Sequence, residues 1–189
     1  MLDVGCGPGN ALRMFRHHRS DLDYTGMDAT IQSEAGSEEG LQFVSADITQ
    51  ATGLPAGQYD LVTCYFVIEH ISLQDLEDFC RNLKSLVRPG GYLFLTAPNS
   101  RSVLLDFYDD PTHVRPYNGT AMCRLFQPMD IMTVAQGVDR SWKILLLSPF
   151  YSLYTLFKKD RSGISFFRIH LFGVVSFFLG KCPDDQSES

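Results

Sequence analysis

A glycine-rich turn near the start of the chain constrains the fold more than any other feature. Residues 3–9 read Asp-Val-Gly-Cys-Gly-Pro-Gly; they follow a short apolar run and precede a segment with helical periodicity. Glycines at this spacing permit a tight turn and let a ligand approach the backbone closely. The GxGxG spacing is followed by Asn10, so it lacks the last glycine of a dinucleotide fingerprint, and it also lacks the Gly-Lys-Ser/Thr of a phosphate-binding loop.

Short apolar runs alternate with helical patterns along the chain, which predicts a parallel α/β sheet. The expected strands are Met1–Val4, Asp23–Met27, Leu41–Ser45, Tyr59–Cys64 and Tyr92–Ala97. The expected helices are Asn10–His18, Leu73–Leu86 and Asn118–Phe126, and Pro89-Gly90-Gly91 should end the second one. Two late strands are expected at Ser141–Leu147 and Val174–Leu179, with an apolar helical insertion between them.

Two carboxylates stand where a nucleoside would need them. Asp28 ends the second predicted strand and could accept hydrogen bonds from both ribose hydroxyls, whereas Asp47 ends the third and could accept from an adenine amino group. A single aspartate at a strand end is more often just solvated. With Asp3, however, three carboxylates fall at consecutive strand ends, which is where open α/β sheets bind ligands.

Five segments in order resemble the motifs of class I S-adenosylmethionine-dependent methyltransferases: LDVGCGPGN, MDAT, SADI, YDLVTCYFVIEHI and LVRPGGYLFLTAPN. The resemblance is strong over residues 1–99 and weaker through 110–117. It implies an α/β fold with a Rossmann-like, doubly wound, mostly parallel seven-stranded sheet in three α/β/α layers. We expect one methyltransferase domain over 1–181, divided into a cofactor-binding core (1–117) and a C-terminal part (118–181), followed by a disordered acidic tail (182–189).

The resemblance also implies S-adenosylmethionine as the cofactor. The glycines would shape the turn under its methionine part, and the carboxylate before them would support that turn and the cofactor's amino group. Asp28 would bind the ribose, Asp47 and the backbone of Ile48 would read the adenine, and Cys64 and Tyr65 would border the methionine. The full set of expected cofactor-binding residues is Asp3, Gly5, Cys6, Gly7, Gly9, Asp28, Asp47, Ile48, Cys64 and Tyr65.

His70 and His113 are the candidate catalytic residues, because histidine titrates near neutrality and suits removal of a proton from an acceptor. The alternative is structural: His70 packs beside a helix and His113 organises a loop. Glu69-His70 also resembles the metal-binding E-x-x-E-H element of some quinone-biosynthesis and small-RNA methyltransferases. Phe66 occupies the first glutamate position, which leaves too few ligands, so we predict no metal.

Charge is distributed unevenly along the chain. The overall net charge of −6 argues against a broad basic face for nucleic acid. Residues 1–139 carry a net charge of −9, whereas residues 140–181 carry +6 among many aromatic and apolar residues. Segment 143–181 therefore fits an interfacial element on an anionic membrane, the wall of a pocket for a greasy acceptor, or a core-packing insertion.

The five cysteines form no CxxC pair, which is typical of a reducing compartment. No stretch clearly spans a membrane. We therefore expect a cytoplasmic protein. A peripheral position at the membrane is a second expectation.

The resemblance implies methyl transfer, and the basic, apolar segment 143–181 favours a small lipid-like or isoprenoid-like acceptor that is methylated on oxygen or carbon. One alternative is a non-catalytic or truncated relative, because Met1 lies inside the first strand and the helices that usually precede it would be absent. A nucleic-acid or protein methyltransferase ranks third, because residues 64–67 read Cys-Tyr-Phe-Val where an NPPY-type signature would be expected.

Overall fold

A seven-stranded sheet organises the chain in the computed structural model, which describes residues 1–31, 40–50, 57–100, 105–138 and 175–184. The strands are β1 (Leu2–Val4), β2 (Tyr24–Asp28), β3 (Leu41–Ser45), β4 (Tyr59–Tyr65), β5 (Val87–Pro98), β6 (Met132–Val138) and β7 (Val175–Lys181). The helices are α1 (Asn10–His18), α2 (Leu76–Leu86) and α3 (Gly119–Phe126). Single turns of 3₁₀ helix lie at Ile68–His70, Leu105–Asp109 and Gln127–Met129.

The sheet order is β3-β2-β1-β4-β5-β7-β6. Strands β1 to β5 pair in parallel, and β7 runs antiparallel to both β5 and β6. The predicted doubly wound, mostly parallel α/β sheet is confirmed. The strand order reverses next to β1, which makes the carboxyl ends of β1, β2 and β4 the place where such sheets bind ligands.

Two apolar clusters cover the sheet. One contains Leu12 of α1 with Tyr24 and Leu41, and the other contains Leu2 and Met27 with buried residues of α2 and α3. Tyr24 and Met27 are three residues apart on one strand, so their side chains point to opposite faces of the sheet. The chain therefore packs α1 on one face and α2 with α3 on the other.

Helix α2 begins three residues later than predicted. Leu73 fits the helical period, but its side chain is 60% exposed and precedes the helix. The Ser72 hydroxyl donates to the Asp75 carboxylate and accepts from the Asp75 amide, so the chain forms a turn there. The first helical bond runs from the Phe79 amide to the Asp75 carbonyl, which sets the start of the helix.

Strand β5 follows α2 directly and is longer than predicted. It begins at Val87, which pairs with Tyr59, and it runs through the predicted helix stop Pro89-Gly90-Gly91 to Pro98. Gly90 has φ of +70°, and its amide donates to the carbonyl of Pro183. The proline and glycines thus bend the start of a strand after a helix that has already ended at Leu86.

The late part of the chain contains a strand that we did not predict. Strand β6 at Met132–Val138 pairs with β7, which occupies Val175–Lys181, close to the predicted late strand. The predicted strand Ser141–Leu147 and the apolar insertion lie outside the described residues. Residues 182–184, assigned above to the tail, continue beside β5, where the amide of Cys182 donates to the carbonyl of Gly91. In the described parts of the chain, no helix is long and apolar enough to cross a membrane.

Candidate functional site

The glycine turn between β1 and α1 requires its glycines for backbone reasons. Gly5, Gly7 and Gly9 have φ of +72°, +50° and +81°, all in the left-handed region that glycine adopts without strain. The amides of Gly5 and Cys6 both donate to the carbonyl of Met27, which ties the turn to β2. A Cβ atom at Gly9 would meet the Phe43 ring at 2.8 Å, so this position also lacks room for a side chain.

Asp28 closes the turn from the end of β2. Its Oδ2 accepts from the Gly7 amide at 2.8 Å, and its Oδ1 accepts from the amide and hydroxyl of Thr30 at 2.8 and 2.7 Å. Burial alone would raise the pKa of Asp28, but these hydrogen bonds outweigh it and leave that pKa below its ordinary value. Asp28 is therefore an ionised acceptor held against the glycine turn.

Asp47 repeats this arrangement after β3. Its Oδ1 accepts from the amide of Thr49 at 2.9 Å and from the Thr49 hydroxyl at 2.7 Å. The next residue, Ile48, is buried, and its carbonyl accepts from the side-chain amide of Asn82 in α2 at 2.7 Å. The loop that carries Asp47 and Ile48 is thus fixed to a helix of the core.

A cavity of 390 Å³ lies at the carboxyl ends of β1, β2 and β3. Its lining includes Gly5, Asp28, Asp47, Ile48 and His70. Small-molecule sites in proteins usually have volumes of roughly 300–1,000 Å³. The structure therefore brings four of the predicted cofactor residues and one predicted catalytic residue to a single cavity of suitable size. A second cavity of 530 Å³ between α2 and α3 is lined by none of the predicted residues that the structure describes.

Within the described chain, the other predicted cofactor residues do not line this cavity. Asp3 is buried beneath the turn and accepts from the Thr63 hydroxyl at 2.8 Å; burial raises its pKa to about 6. Cys64 is buried, and burial raises its pKa well above the ordinary value. The ring of Tyr65 lies between Phe15 and Phe94, at centroid distances of 6.5 and 5.8 Å. Cys6, Gly7 and Gly9 belong to the glycine turn between β1 and α1.

The two candidate catalytic histidines come together although 42 residues separate them. Their ring centroids are 4.7 Å apart. Nδ1 of His70 lies 2.9 Å from the Thr112 hydroxyl, and Nδ1 of His113 lies 2.7 Å from the carbonyl of Phe107. His113 also stacks on the Phe107 ring at 4.4 Å. Of the two, His70 lines the cavity and His113 packs behind it.

Glu69 lies in the same cluster and is 1% exposed. Among the residues that the structure describes, its Oε2 has no hydrogen-bond partner, and burial raises the pKa of Glu69 to about 7. One ligand atom from each of Glu69, His70 and His113 lies within 4.8 Å of the others. Phe66, where the related element has its first glutamate, is 45% exposed. Glu69, His70 and His113 thus offer three ligand atoms, whereas the related E-x-x-E-H element has a further glutamate at the position of Phe66. The absence of a metal remains a prediction.

Sequence reasoning missed the threonines that hold these carboxylates. The pattern Asp-x-Thr occurs at Asp28–Thr30, Asp47–Thr49 and Asp110–Thr112, and each time the aspartate Oδ1 accepts from the amide and the hydroxyl of the threonine. Such turns stabilise themselves locally. The repeated spacing is a signal that could have identified Thr112 as part of the site.

Comparisons with known proteins agree with this geometry. A family model described as a methyltransferase domain matches residues 1–135. A ubiquinone biosynthesis O-methyltransferase of Bordetella avium is 32% identical over 106 residues, which cover 52% of this chain and 42% of that protein. A malonyl-[acyl-carrier protein] O-methyltransferase of Enterobacter lignolyticus is 32% identical over 97 residues, covering 51% of this chain and 38% of that one.

Among solved structures, the 1,6-didemethyltoxoflavin-N1-methyltransferase of Burkholderia thailandensis, with bound 1,6-didemethyltoxoflavin and S-adenosylhomocysteine, has a TM-score of 0.63 at 14% identity. That match covers 97% of this chain and 70% of the other. At this identity it supports the fold alone. Because the family model covers more than half of the residues, the chain belongs to the methyltransferase domain family.

Proposed function

We propose that this chain is an S-adenosylmethionine-dependent methyltransferase that methylates an oxygen or carbon atom of a small lipid-like or isoprenoid-like acceptor. The observation that carries the proposal is the 390 Å³ cavity, where the glycine turn, two strand-end carboxylates and a histidine meet. The two curated relatives named above are O-methyltransferases of a quinone pathway and of an acyl carrier. Both matches span less than half of the relatives, so the activity of the whole protein is part of the proposal.

The residues of the cavity fit the cofactor. A carboxylate offers about four lone-pair sites. At Asp28 the protein uses three, from Gly7 and Thr30, which leaves one for a ribose hydroxyl. Asp47 likewise accepts from Thr49 and, at 3.3 Å, from Gln50, which leaves one for the adenine amino group. We assign the ribose to Asp28 and the adenine to Asp47.

The remaining assignments concern the methionine part. The glycine turn gives it access to the backbone, because no side chain projects from Gly5, Gly7 or Gly9. Cys6 belongs to that turn, and Asp3 supports it from below through its position on β1. Cys64 and Tyr65 lie at the end of β4, on the other side of the switch point, and would border the methionine.

The proposed reaction requires little covalent chemistry from the protein itself. The bound cofactor supplies a sulfonium methyl group, which is already an electrophile. The chain must hold the acceptor in line and accept the proton that a hydroxyl acceptor loses. His70 lines the cavity and is our candidate for that base, with His113 packed behind its ring.

Calorimetric titration with S-adenosylmethionine tests the cofactor assignment. We expect saturable binding by the wild type and binding weakened at least about 10-fold by Asp28→Asn, because the ribose loses a charged acceptor. Asp109→Asn is the matched control, an exposed aspartate outside the cavity, and should bind like the wild type. No binding at millimolar cofactor would overturn the proposal. Binding without methyl transfer to any acceptor would favour the non-catalytic alternative.

Membrane contact is a separate part of the proposal. It rests on the sequence of segment 143–181, which combines apolar and aromatic residues with basic ones within the +6 region. We propose a cytoplasmic protein that associates peripherally with anionic membranes. Flotation with anionic vesicles should carry the protein upward at low salt and release it at high salt. Failure to float at low salt would exclude this part and leave the cofactor assignment intact.

The domain assignment is also carried forward as a proposal. We propose one methyltransferase domain over residues 1–181, with the cofactor-binding core in 1–117. The described elements from β1 to β7 belong to one sheet, which supports a single unit. Limited proteolysis should then leave a fragment that retains both the cofactor-binding core and β7.

A further inference from the structure

We propose that Thr112 and Asp110 are positioning residues that fix the tautomer of His70, so that Nδ1 carries the hydrogen and Nε2 is the nitrogen that takes the proton of the acceptor. The inference rests on the proposed function for its catalytic consequence. Its structural content, the tautomer of one imidazole, stands on the hydrogen bonds alone. Neither residue is among the site residues predicted from the sequence.

The hydrogen-bond chain has only one consistent direction. The Thr112 hydroxyl lies 2.6 Å from Oδ1 of Asp110, and its oxygen lies 2.9 Å from Nδ1 of His70. An ionised carboxylate only accepts, so the single hydroxyl hydrogen goes to Asp110. The hydroxyl oxygen can then only accept from His70. The Thr112 carbonyl lies 3.3 Å from the same Nδ1 and can also only accept, so this contact too requires a hydrogen on Nδ1.

Asp110 is well suited to impose this direction. Its Oδ1 also accepts from the amide of Thr112 at 2.9 Å, which closes the Asp-x-Thr turn. Side-chain and backbone hydrogen bonds from Thr112 keep the pKa of Asp110 below its ordinary value, so the carboxylate stays ionised near neutral pH. In the described part of the chain, Glu69 and His113 are the titratable groups clustered with His70, and Nε2 of His113 lies 3.9 Å from Oδ2 of Asp110.

This third turn differs from the other two of its kind in what its threonine touches. Asp28 and Thr30 of the first turn and Asp47 of the second line the cavity. At Asp110 the threonine hydroxyl instead contacts a histidine from another part of the chain, 42 residues away. A self-stabilising turn holds its hydroxyl in place without help from the imidazole, so it can orient that imidazole.

The same reasoning separates the two histidines. Nδ1 of His113 donates to the carbonyl of Phe107, and its ring stacks on the Phe107 ring. Within the described part of the chain, the lining of the cavity includes His70 but not His113. The geometry therefore gives His70 the proton-transfer role and His113 the role of packing against it. Fixing a tautomer through a second residue is how catalytic imidazoles are commonly prepared.

The direct test is the tautomer of His70 by nitrogen NMR of ¹⁵N-histidine-labelled protein, at a pH where the imidazole is neutral. His70→Asn assigns the signal. We expect the wild type to carry its hydrogen on Nδ1 and Thr112→Val to shift population toward the Nε2-protonated form. Thr112→Ser keeps the hydroxyl and should behave as the wild type. An Nε2-protonated wild type, or an unchanged tautomer in Thr112→Val, would overturn the proposal.

Kinetics test the catalytic consequence. The probe is transfer of the radiolabelled methyl group of S-adenosylmethionine to a hydroquinone that bears an isoprenoid chain. We expect Thr112→Val to lower kcat on the order of 10-fold, the worth of one hydrogen bond, with the KM for cofactor unchanged. Thr112→Ser should restore kcat. Equal kcat in the wild type and Thr112→Val would refute the positioning role.

The two proposals fail in different ways. If the wild type binds no cofactor, the proposed function is wrong, while the NMR measurement still decides the tautomer. If the cofactor binds and the wild type turns over, but Thr112→Val shows neither an altered tautomer nor a lower kcat, the function stands and the positioning pair is wrong. Thr112 is exposed, so its substitution should leave the fold intact, which a thermal melt verifies.

Discussion

Gly9 illustrates how backbone conformation and lack of space can both require glycine at one position. Its φ of +81° strains any side chain, and a Cβ atom there would meet Phe43 at 2.8 Å. Backbone strain of this kind costs about 1–3 kcal/mol, and steric overlap with Phe43 adds to it. We therefore predict that Gly9→Ala lowers the free energy of unfolding by more than the backbone strain alone would. Gly7→Ala is the matched control: its φ is also positive, but a Cβ there would meet no atom of the described residues within 4 Å.

Urea unfolding of both variants checks this prediction. Gly7→Ala should cost about 1 kcal/mol, from the backbone alone. Equal losses in the two variants would show that the contact with Phe43 contributes nothing. Such a result would leave φ as the sole reason for glycine at both positions.

Asp3 makes stability depend on pH. Burial raises its pKa from 3.8 to about 6, so between these values the native state binds more protons than the unfolded state. Stability from this group is therefore greatest at low pH and falls as pH rises through 4 to 6. Two units correspond to about 3 kcal/mol, of which about 2 kcal/mol is lost between pH 4.5 and 7.

Asp3→Asn should remove this dependence, since the amide oxygen can still accept from the Thr63 hydroxyl. The measurement is the free energy of unfolding in urea at pH 4.5 and 7 for both proteins. Titrations common to the two proteins cancel in the comparison. The prediction is contradicted if the wild type and Asp3→Asn change by the same amount.

At the scale of elements, α2 holds the loop after β3 in place. Asn82 is buried in α2, and its side-chain amide donates to the carbonyl of Ile48 at 2.7 Å. Asn82→Ala leaves that carbonyl without its donor, and we predict a loss of about 1–3 kcal/mol in the free energy of unfolding. Because Ile48 lines the cavity, cofactor affinity should fall as well.

The control lies one turn along the same helix. The Ser85 hydroxyl donates to the backbone carbonyl of Asn82 and does not reach the loop. Ser85→Ala should cost under about 1 kcal/mol and leave the cofactor affinity unchanged. Chemical denaturation and calorimetry measure the two effects. Unchanged affinity in Asn82→Ala would mean that the loop keeps its shape without the helix.

Helices and strands could be predicted from the sequence where the pattern that defines them lies within neighbouring residues. Helix α1 and strand β3 have the predicted bounds because periodicity and flanking glycines define them. Strand β6 was missed because five of its seven residues are exposed, so it shows no alternation of buried and exposed positions. Its existence depends on pairing with β7, whose residues come more than 35 positions later.

The site divides in the same way. The position of Asp28 and Asp47 at the cavity could be predicted, because the neighbouring residues alone show that each carboxylate lies at the end of a strand. The contact of Thr112 with His70 was not, because only the folded topology brings a loop after β5 to the turn after β4. Local patterns can therefore identify carboxylates that line the cavity, whereas a contact such as that of Thr112 with His70 depends on tertiary structure.

At the scale of the whole molecule, the cavity depends on the sheet as a unit. Gly5 follows β1, Asp28 ends β2, Asp47 follows β3 and His70 follows β4, so opening any of these elements destroys the site. A ligand bound there stabilises only the folded chain. We therefore predict that S-adenosylmethionine raises the midpoint of global thermal unfolding and does not merely order one loop.

The size of this effect follows from mass action. At a cofactor concentration 100 times the dissociation constant, the added free energy is about 2.7 kcal/mol. For a chain of this length, that shifts the midpoint by roughly 5–10 °C. A thermal melt followed by far-ultraviolet circular dichroism measures the shift. Asp28→Asn at the same cofactor concentration should show a smaller one, because its affinity is lower. A midpoint independent of cofactor in the wild type would mean that the cavity does not bind it, and the chain would then be a member of the methyltransferase domain family that has kept the fold without the ligand.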